Sequence, residues 1–196
     1  MRKFVPKRAS LRALTLAVPA AALALVFAAP VGAAEVPSTG VTAEIDMVFE
    51  KGKMKFVGPS TVTQGDTLKI VNSTNPKQVG PHTFSLVKKG TLPKTAPARQ
   101  KCFSPKHICL SIAEWHKLNP KTGKVGLDLV KAGPKGWSTA GDNAKKGDSW
   151  FTEAKGETFE QQVTAEPGDL YYICAVHAWM QGKVKVVPPT TPLPAS

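Results

Sequence analysis

Cys174, His177 and Met180 stand at three-residue intervals in the string Tyr171-Tyr172-Ile173-Cys174-Ala175-Val176-His177-Ala178-Trp179-Met180-Gln181-Gly182. A thiol, an imidazole and a thioether so spaced between two strand-like runs can fold around one point. His82, on a separate run, can supply a second imidazole. Two imidazoles and a thiolate in a trigonal array, with a weak axial thioether, form the donor set that suits copper in electron transfer. The soft sulfurs favour Cu(I) and the imidazoles also accept Cu(II), so one site serves both states. Each residue also has an ordinary use, since free cysteine and methionine commonly fill gaps in a core and a lone histidine in a strand is commonly a hydrogen-bonded core residue.

The elements that must position these groups are legible as alternating runs. Ile45, Met47 and Phe49 alternate with Asp46 and Val48, and Leu68 and Ile70 flank Lys69, with a turn at Gln64-Gly65-Asp66 between them. Asn72 to Pro76 breaks the second run. His82, Phe84 and Leu86 share one parity and Thr83 and Ser85 the other, so the pleat points His82 the same way as two core residues. A later block begins near Phe159 and turns at Glu166-Pro167-Gly168-Asp169. Leu170, Tyr172 and Cys174 then share a face, and Val184 and Val186 mark a final strand. Short strands without long alternating helices predict an all-β, antiparallel sandwich.

The first 34 residues have another use. Arg2, Lys3, Lys7, Arg8 and Arg12 precede an alanine- and leucine-rich run, Ala13 to Ala29, and small residues follow at Gly32-Ala33-Ala34. This is the pattern of a cleaved signal peptide, with Glu35 the first mature residue and the product exported to the periplasm, cell envelope or exterior. Retention as a membrane anchor is the alternative. Pro19 and the many alanines make the run a poor spanning helix, and no other segment is apolar enough for stable membrane insertion. The formal charge of +12 falls to +7 once the signal leaves. The remaining lysines are dispersed without interleaved aromatics, which gives nucleic-acid binding little support. They make a solvated surface, or steer the protein toward an acidic docking partner.

Three cysteines in an exported chain leave one unpaired when two join. Cys102 and Cys109 are close together in one loop-rich segment, so a 102–109 disulfide leaves Cys174 free. A lone thiol outside the cytoplasm risks stray oxidation, which favours a metal-bound role over core filling. The disulfide falls in an insertion, about residues 90–149, within a domain spanning 35–188 and followed by a Pro/Thr-rich tail at 189–196. Ser111-Ile112-Ala113-Glu114 has the form of a capping box, and Ile112, Trp115 and Leu118 at helical spacing predict one short helix ended by Pro120. His107 and His116 lie near the paired cysteines; surface positions fit them better than a second metal site, for which no tight ligand spacing exists.

Taken together, Gly65-Asp66-Thr67-Leu68 leading to Asn72, Pro81-His82-Thr83, the Gly168-to-Met180 run and Val184-Lys185-Val186 resemble the cupredoxins, the plastocyanin/azurin superfamily. The Cys-x2-His-x2-Met loop is similar to that of the amicyanins. The resemblance covers the two β blocks and leaves the insertion unmatched. It implies a Greek-key β-sandwich with one type 1 copper at one end, held by His82, Cys174, His177 and axial Met180. It implies that Thr83 ties the two ligand segments together, while Pro81 places a carbonyl next to His82 in the chain. Trp179 and Ala178 would belong to the apolar patch through which electrons leave; plain packing over the loop is the other use for Trp179. The usual Thr-Pro between cysteine and histidine is Ala175-Val176 here. The implied function is a monomeric, non-enzymatic electron carrier between redox-partner proteins. Copper storage or delivery is the alternative, although four methionines make no tract. A copper enzyme needs further sites built from His-x-His pairs, and the chain has none.

Overall fold

The computed structural model describes residues 35–190. The signal-peptide expectation therefore lies outside the described residues, as does most of the tail. Among the described residues no helix is long and apolar enough to cross a membrane.

Among the described residues ten strands form two facing sheets. In chain order they are β1 (Thr42–Glu50), β2 (Lys53–Val57), β3 (Thr61–Thr63), β4 (Thr67–Asn72), β5 (His82–Val87), β6 (Leu129–Val130), β7 (Ser149–Thr152), β8 (Thr158–Gln162), β9 (Gly168–Ile173) and β10 (Gln181–Val187). One sheet runs β2-β1-β4-β8 and the other β3-β10-β9-β5-β7-β6. The alternation of β1 and β4 buries Ile45, Met47, Leu68 and Ile70, whereas Phe49, near the strand end, stays partly exposed. These residues meet Phe84, Leu86, Tyr172, Val184 and Val186 from the opposite sheet in one core, with Trp137 filling its centre. Gly65 makes the turn into β4 with φ +100°, and a Cβ there would lie 2.4 Å from the Pro37 carbonyl, so the position admits only glycine.

Three expectations need correction. The sandwich is not wholly antiparallel: β1 pairs with β4, and β10 with β3, in parallel. The chain leaves β2, crosses to the other sheet for β3 and returns for β4, so strands of like direction become neighbours. Secondly, the middle segment is not merely loop plus one helix. Short helix α2 (Ala96–Gln100) is started by Thr95, whose side chain accepts the Ala98 N–H, and β6 and the start of β7 lie within it; helix α1 (Pro76–Val79), started in the same way by Asn75, precedes it. Thirdly, helix α3 spans Ile108–Trp115 and begins at His107 rather than at a Ser111 capping box. Ser111 is buried inside the helix and donates to the His107 carbonyl. The Cys102–Cys109 disulfide and the Leu110 N–H bond to the Cys102 carbonyl hold the first turn instead. The helix stops before Pro120 because Lys117 turns left-handed, with φ 55°.

The insertion forms a third layer on the outer face of the six-stranded sheet. Val87 and Ile173 of that face pack with Cys102, Ile108, Cys109, Ile112 and Trp115 in a second core. Burying side chains such as Ile108 and Ile112 contributes roughly 1.5–3 kcal/mol each. That burial orders a segment with little regular structure, and it explains why every residue of β5 is buried, not just one parity.

Candidate metal centre

Cys174 follows directly on β9, and His177 and Met180 lie in the loop leading to β10. The loop closes on itself: Cys174 N–H donates to the Met180 carbonyl at 2.9 Å and Met180 N–H to the His177 carbonyl at 2.7 Å. His82 opens β5, which pairs with β9 from Ser85 opposite Ile173. This register brings the start of one strand beside the end of the other. His82, Cys174 and His177 thereby converge, all buried, with ligand atoms within 4.8 Å of one another. Cys174 Sγ stands 3.7 Å from His82 Nδ1 and 3.6 Å from His177 Nδ1. In a trigonal site with bonds of about 2.0 Å to nitrogen and 2.3 Å to sulfur, the sulfur–nitrogen edges come to about 3.7 Å. Both sulfur–nitrogen edges thus fit one copper ion. Met180 is buried in the main core with Cys174.

The ring of His82 is held in one tautomer by residues that sequence patterning did not single out. Thr74 Oγ1 donates to Asn72 Oδ1 at 2.7 Å, so at 2.9 Å from His82 Nε2 it must accept the ring proton. The lone pair of Nδ1 is left facing the cysteine. Asn72 is itself oriented by donating to Thr152 Oγ1 at 3.1 Å, and Thr152 donates to Glu157 Oε2. Partners of this kind fix ring orientation and ligand basicity. Asn-x-Thr ahead of the Pro-His was the available signal for them.

Thr83 bridges the two ligand segments. Its N–H donates to Cys174 Sγ at 3.4 Å, its hydroxyl accepts the Ala175 N–H at 2.8 Å, and the hydroxyl donates to the Ile173 carbonyl at 3.4 Å. Pro81 lines a neighbouring cavity. Burial pushes the Cys174 thiol up to about 11, against backbone N–H groups of Thr83, His177 and Val176 that favour the anion. Burial, then the neighbouring His177, lowers His82 to about 4; burial also lowers His177, opposed by the Val79 carbonyl. Both imidazoles are therefore neutral at pH 7 and ready to coordinate, while the thiol must yield its proton to a metal.

His177 is 7% exposed, and its ring lies 5.2 Å from that of Trp179, which is 52% exposed. Trp179 is thus half-exposed on the solvent side of His177. The disulfide joins Cys102 and Cys109, with Cα atoms 5.1 Å apart, and Cys174 is free. His107 is half-buried against Ser104 and the Pro105 carbonyl. His116, expected at the surface, is buried instead, because the insertion folds it against the sheet; both ring nitrogens have partners, the Leu127 carbonyl at 2.6 Å and Ser149 Oγ at 2.7 Å.

Residues 43–187 match the family described as copper binding proteins, plastocyanin/azurin family. No curated protein sequence matches the chain. Among solved structures, auracyanin B is 16% identical, with a TM-score of 0.42 over 80% of this chain and 94% of its own. A purple cupredoxin from Nitrosopumilus maritimus is 16% identical, with a TM-score of 0.37 over 75% of this chain and 99% of its own. A multi-copper oxidase from Pediococcus acidilactici is 11% identical, with a TM-score of 0.37 over 86% of this chain and 30% of its own.

Proposed function

Because the chain belongs to the plastocyanin/azurin family of copper-binding proteins, we propose that it is an exported type 1 copper protein that passes single electrons between redox-partner proteins. The observation that carries this is the buried group of His82, His177 and Cys174, whose two sulfur–nitrogen distances match those of a trigonal copper site. Bound copper supplies a one-electron Cu(I)/Cu(II) couple. The protein's part is to hold three ligands so that neither oxidation state needs a rearrangement. Met180, buried within the closed loop, would add its thioether to the ligand set. Thr83 anchors the cysteine, Thr74 anchors His82, and burial keeps water from the metal. Trp179, exposed against His177, marks where a partner meets the site.

Export rests on residues 1–34 and their signal-like pattern, with the mature domain covering 35–188. A role as carrier instead of enzyme rests on the histidines. The chain has four; His82 and His177 belong to the site and His116 has partners on both ring nitrogens, which leaves His107 alone, too few for a further histidine-rich copper centre.

The deciding experiment is titration of the purified protein with Cu(II). An intense blue absorption that bleaches with ascorbate and is absent in Cys174→Ala is expected. A colourless, redox-silent copper complex would overturn electron transfer in favour of copper storage or delivery.

A further inference from the structure

His116 belongs to the insertion, yet an unbroken row of buried hydroxyls joins it to the metal-binding segments. His116 Nε2 is 2.7 Å from Ser149 Oγ, Ser149 Oγ is 2.6 Å from Ser85 Oγ, and Ser85 Oγ is 3.0 Å from Thr83 Oγ1. Thr83 in turn accepts the Ala175 N–H and gives its own N–H to Cys174 Sγ. Ser85, Ser149 and His116 are each almost wholly buried.

The proton count along this row has two solutions. The Leu127 carbonyl can only accept, so His116 Nδ1 always carries a proton. Each hydroxyl has one proton to give. With His116 charged, Nε2–H donates to Ser149, Ser149 to Ser85, Ser85 to Thr83, and Thr83 to the Ile173 carbonyl. With His116 neutral, Nε2 must accept from Ser149. Ser85 then turns to Ser149 at 2.6 Å, and Thr83, no longer accepting from Ser85, gives its proton to Ser85 Oγ at 3.0 Å in preference to the Ile173 carbonyl at 3.4 Å. One proton from solvent, bound to the Nε2 lone pair, rotates three hydroxyls; no other bond to hydrogen forms or breaks.

We propose that His116 is a positioning residue for the metal site, whose protonation reverses the Ser149–Ser85–Thr83 hydroxyl row and so alters the hydrogen bonding of the Ile173–Ala175 segment that carries Cys174. Burial favours the neutral ring, while the Leu127 carbonyl and Asp128 favour the charged one, so acidification drives the change. The other charged groups around His116 are few. Glu153 lines the same cavity of about 130 Å³, which reaches from His116 to Thr83 and gives water a route to the ring. Lys117 follows it in the chain. Asp148 adjoins Ser149 but is engaged by the N–H groups of Ala132, Ser138 and Thr139. With His116 charged, the positive ends of the hydroxyls point toward Thr83, which favours the lower charge of Cu(I) and raises the reduction potential.

The link to copper rests on the function proposed above; the row itself does not. The test is NMR of the metal-free and Cu(I)-loaded protein from pH 4 to 8. The Ala175 amide should shift with the same midpoint as the His116 ring protons in both forms, and the potential should step upward below that midpoint. Ser149→Ala should leave a titrating His116 but remove the matching steps at Ala175 and in the potential. Ser85→Ala cuts the next link and serves if the first variant does not fold. An Ala175 amide indifferent to His116, a His116 that gains no proton in this range, or steps that survive both substitutions would overturn the proposal. If the protein takes up no copper while the Ala175 step follows His116 and vanishes in Ser149→Ala, the row stands and the electron-transfer function falls.

Discussion

Replacing Thr83 by valine keeps the side chain's shape and removes one oxygen. That oxygen accepts the Ala175 N–H at 2.8 Å, and Ala175 is 2% exposed, so water cannot take its place. A buried donor left without a partner costs about 1–3 kcal/mol. Ser85 also loses its acceptor but can turn to Ser149, 2.6 Å away, which limits the second loss. The hydroxyl's own bond to the Ile173 carbonyl, at 3.4 Å, is long and adds little. The sum is about 2 kcal/mol, which at a slope of about 2 kcal/mol per molar urea lowers the unfolding midpoint by about 1 M. The measurement is urea unfolding of the metal-free protein with its disulfide intact, followed by tryptophan fluorescence, so that metal affinity does not enter. Thr83→Ser keeps the oxygen and loses a methyl worth about 0.8 kcal/mol, less than half the effect. A Thr83→Val midpoint within about 0.2 M of the parent, or a serine variant as unstable as the valine one, would refute the bridging role.

Other expectations follow from the same contacts. Thr74→Val removes the acceptor of the His82 ring proton, and copper affinity should fall about 10–100-fold in a chelator competition, with little change in the fold. The metal-free protein should lose stability as pH falls from about 6.5 toward about 4. His82, His177 and His116 all have folded values below the ordinary one, with His82 at about 4, so the unfolded chain binds protons first. Urea midpoints at pH 7.5 and 4.5 measure this, and a midpoint that rises on acidification contradicts it. Cys102→Ser with Cys109→Ser opens a loop with a sequence separation of 7, and should cost about 2 kcal/mol. The blue absorption should survive, because neither cysteine is a ligand and the apolar packing on Ala175 and Ala178 remains; its loss would show that the disulfide itself is needed to hold the copper loop.

The local spacing of residues determined much of what this chain is. A thiol, an imidazole and a thioether at positions 174, 177 and 180 lie within one turnaround between strands, so their convergence is a short-range property of the loop. Period-two alternation in β1, β4 and β5 likewise determined which side chains enter the main core, because a pleat leaves no other choice. The donor chemistry named copper before any fold was known. Only the tertiary structure decided what long-range pairing decides. The β5–β9 register sets His82 beside Cys174, ninety-two positions away. The crossing between sheets makes two strand pairs parallel, which no local pattern encodes. Ser111, read locally, is a helix cap, but the disulfide starts the helix earlier and buries it. His116 stands four residues after Ile112, on the apolar side of the helix, but it is buried only because a whole layer folds over the outer face of the sheet. Hydrogen-bond partners such as Thr74 and Ser149 are chosen by distance in space, and distance in space between remote residues exists only once the sheets have closed.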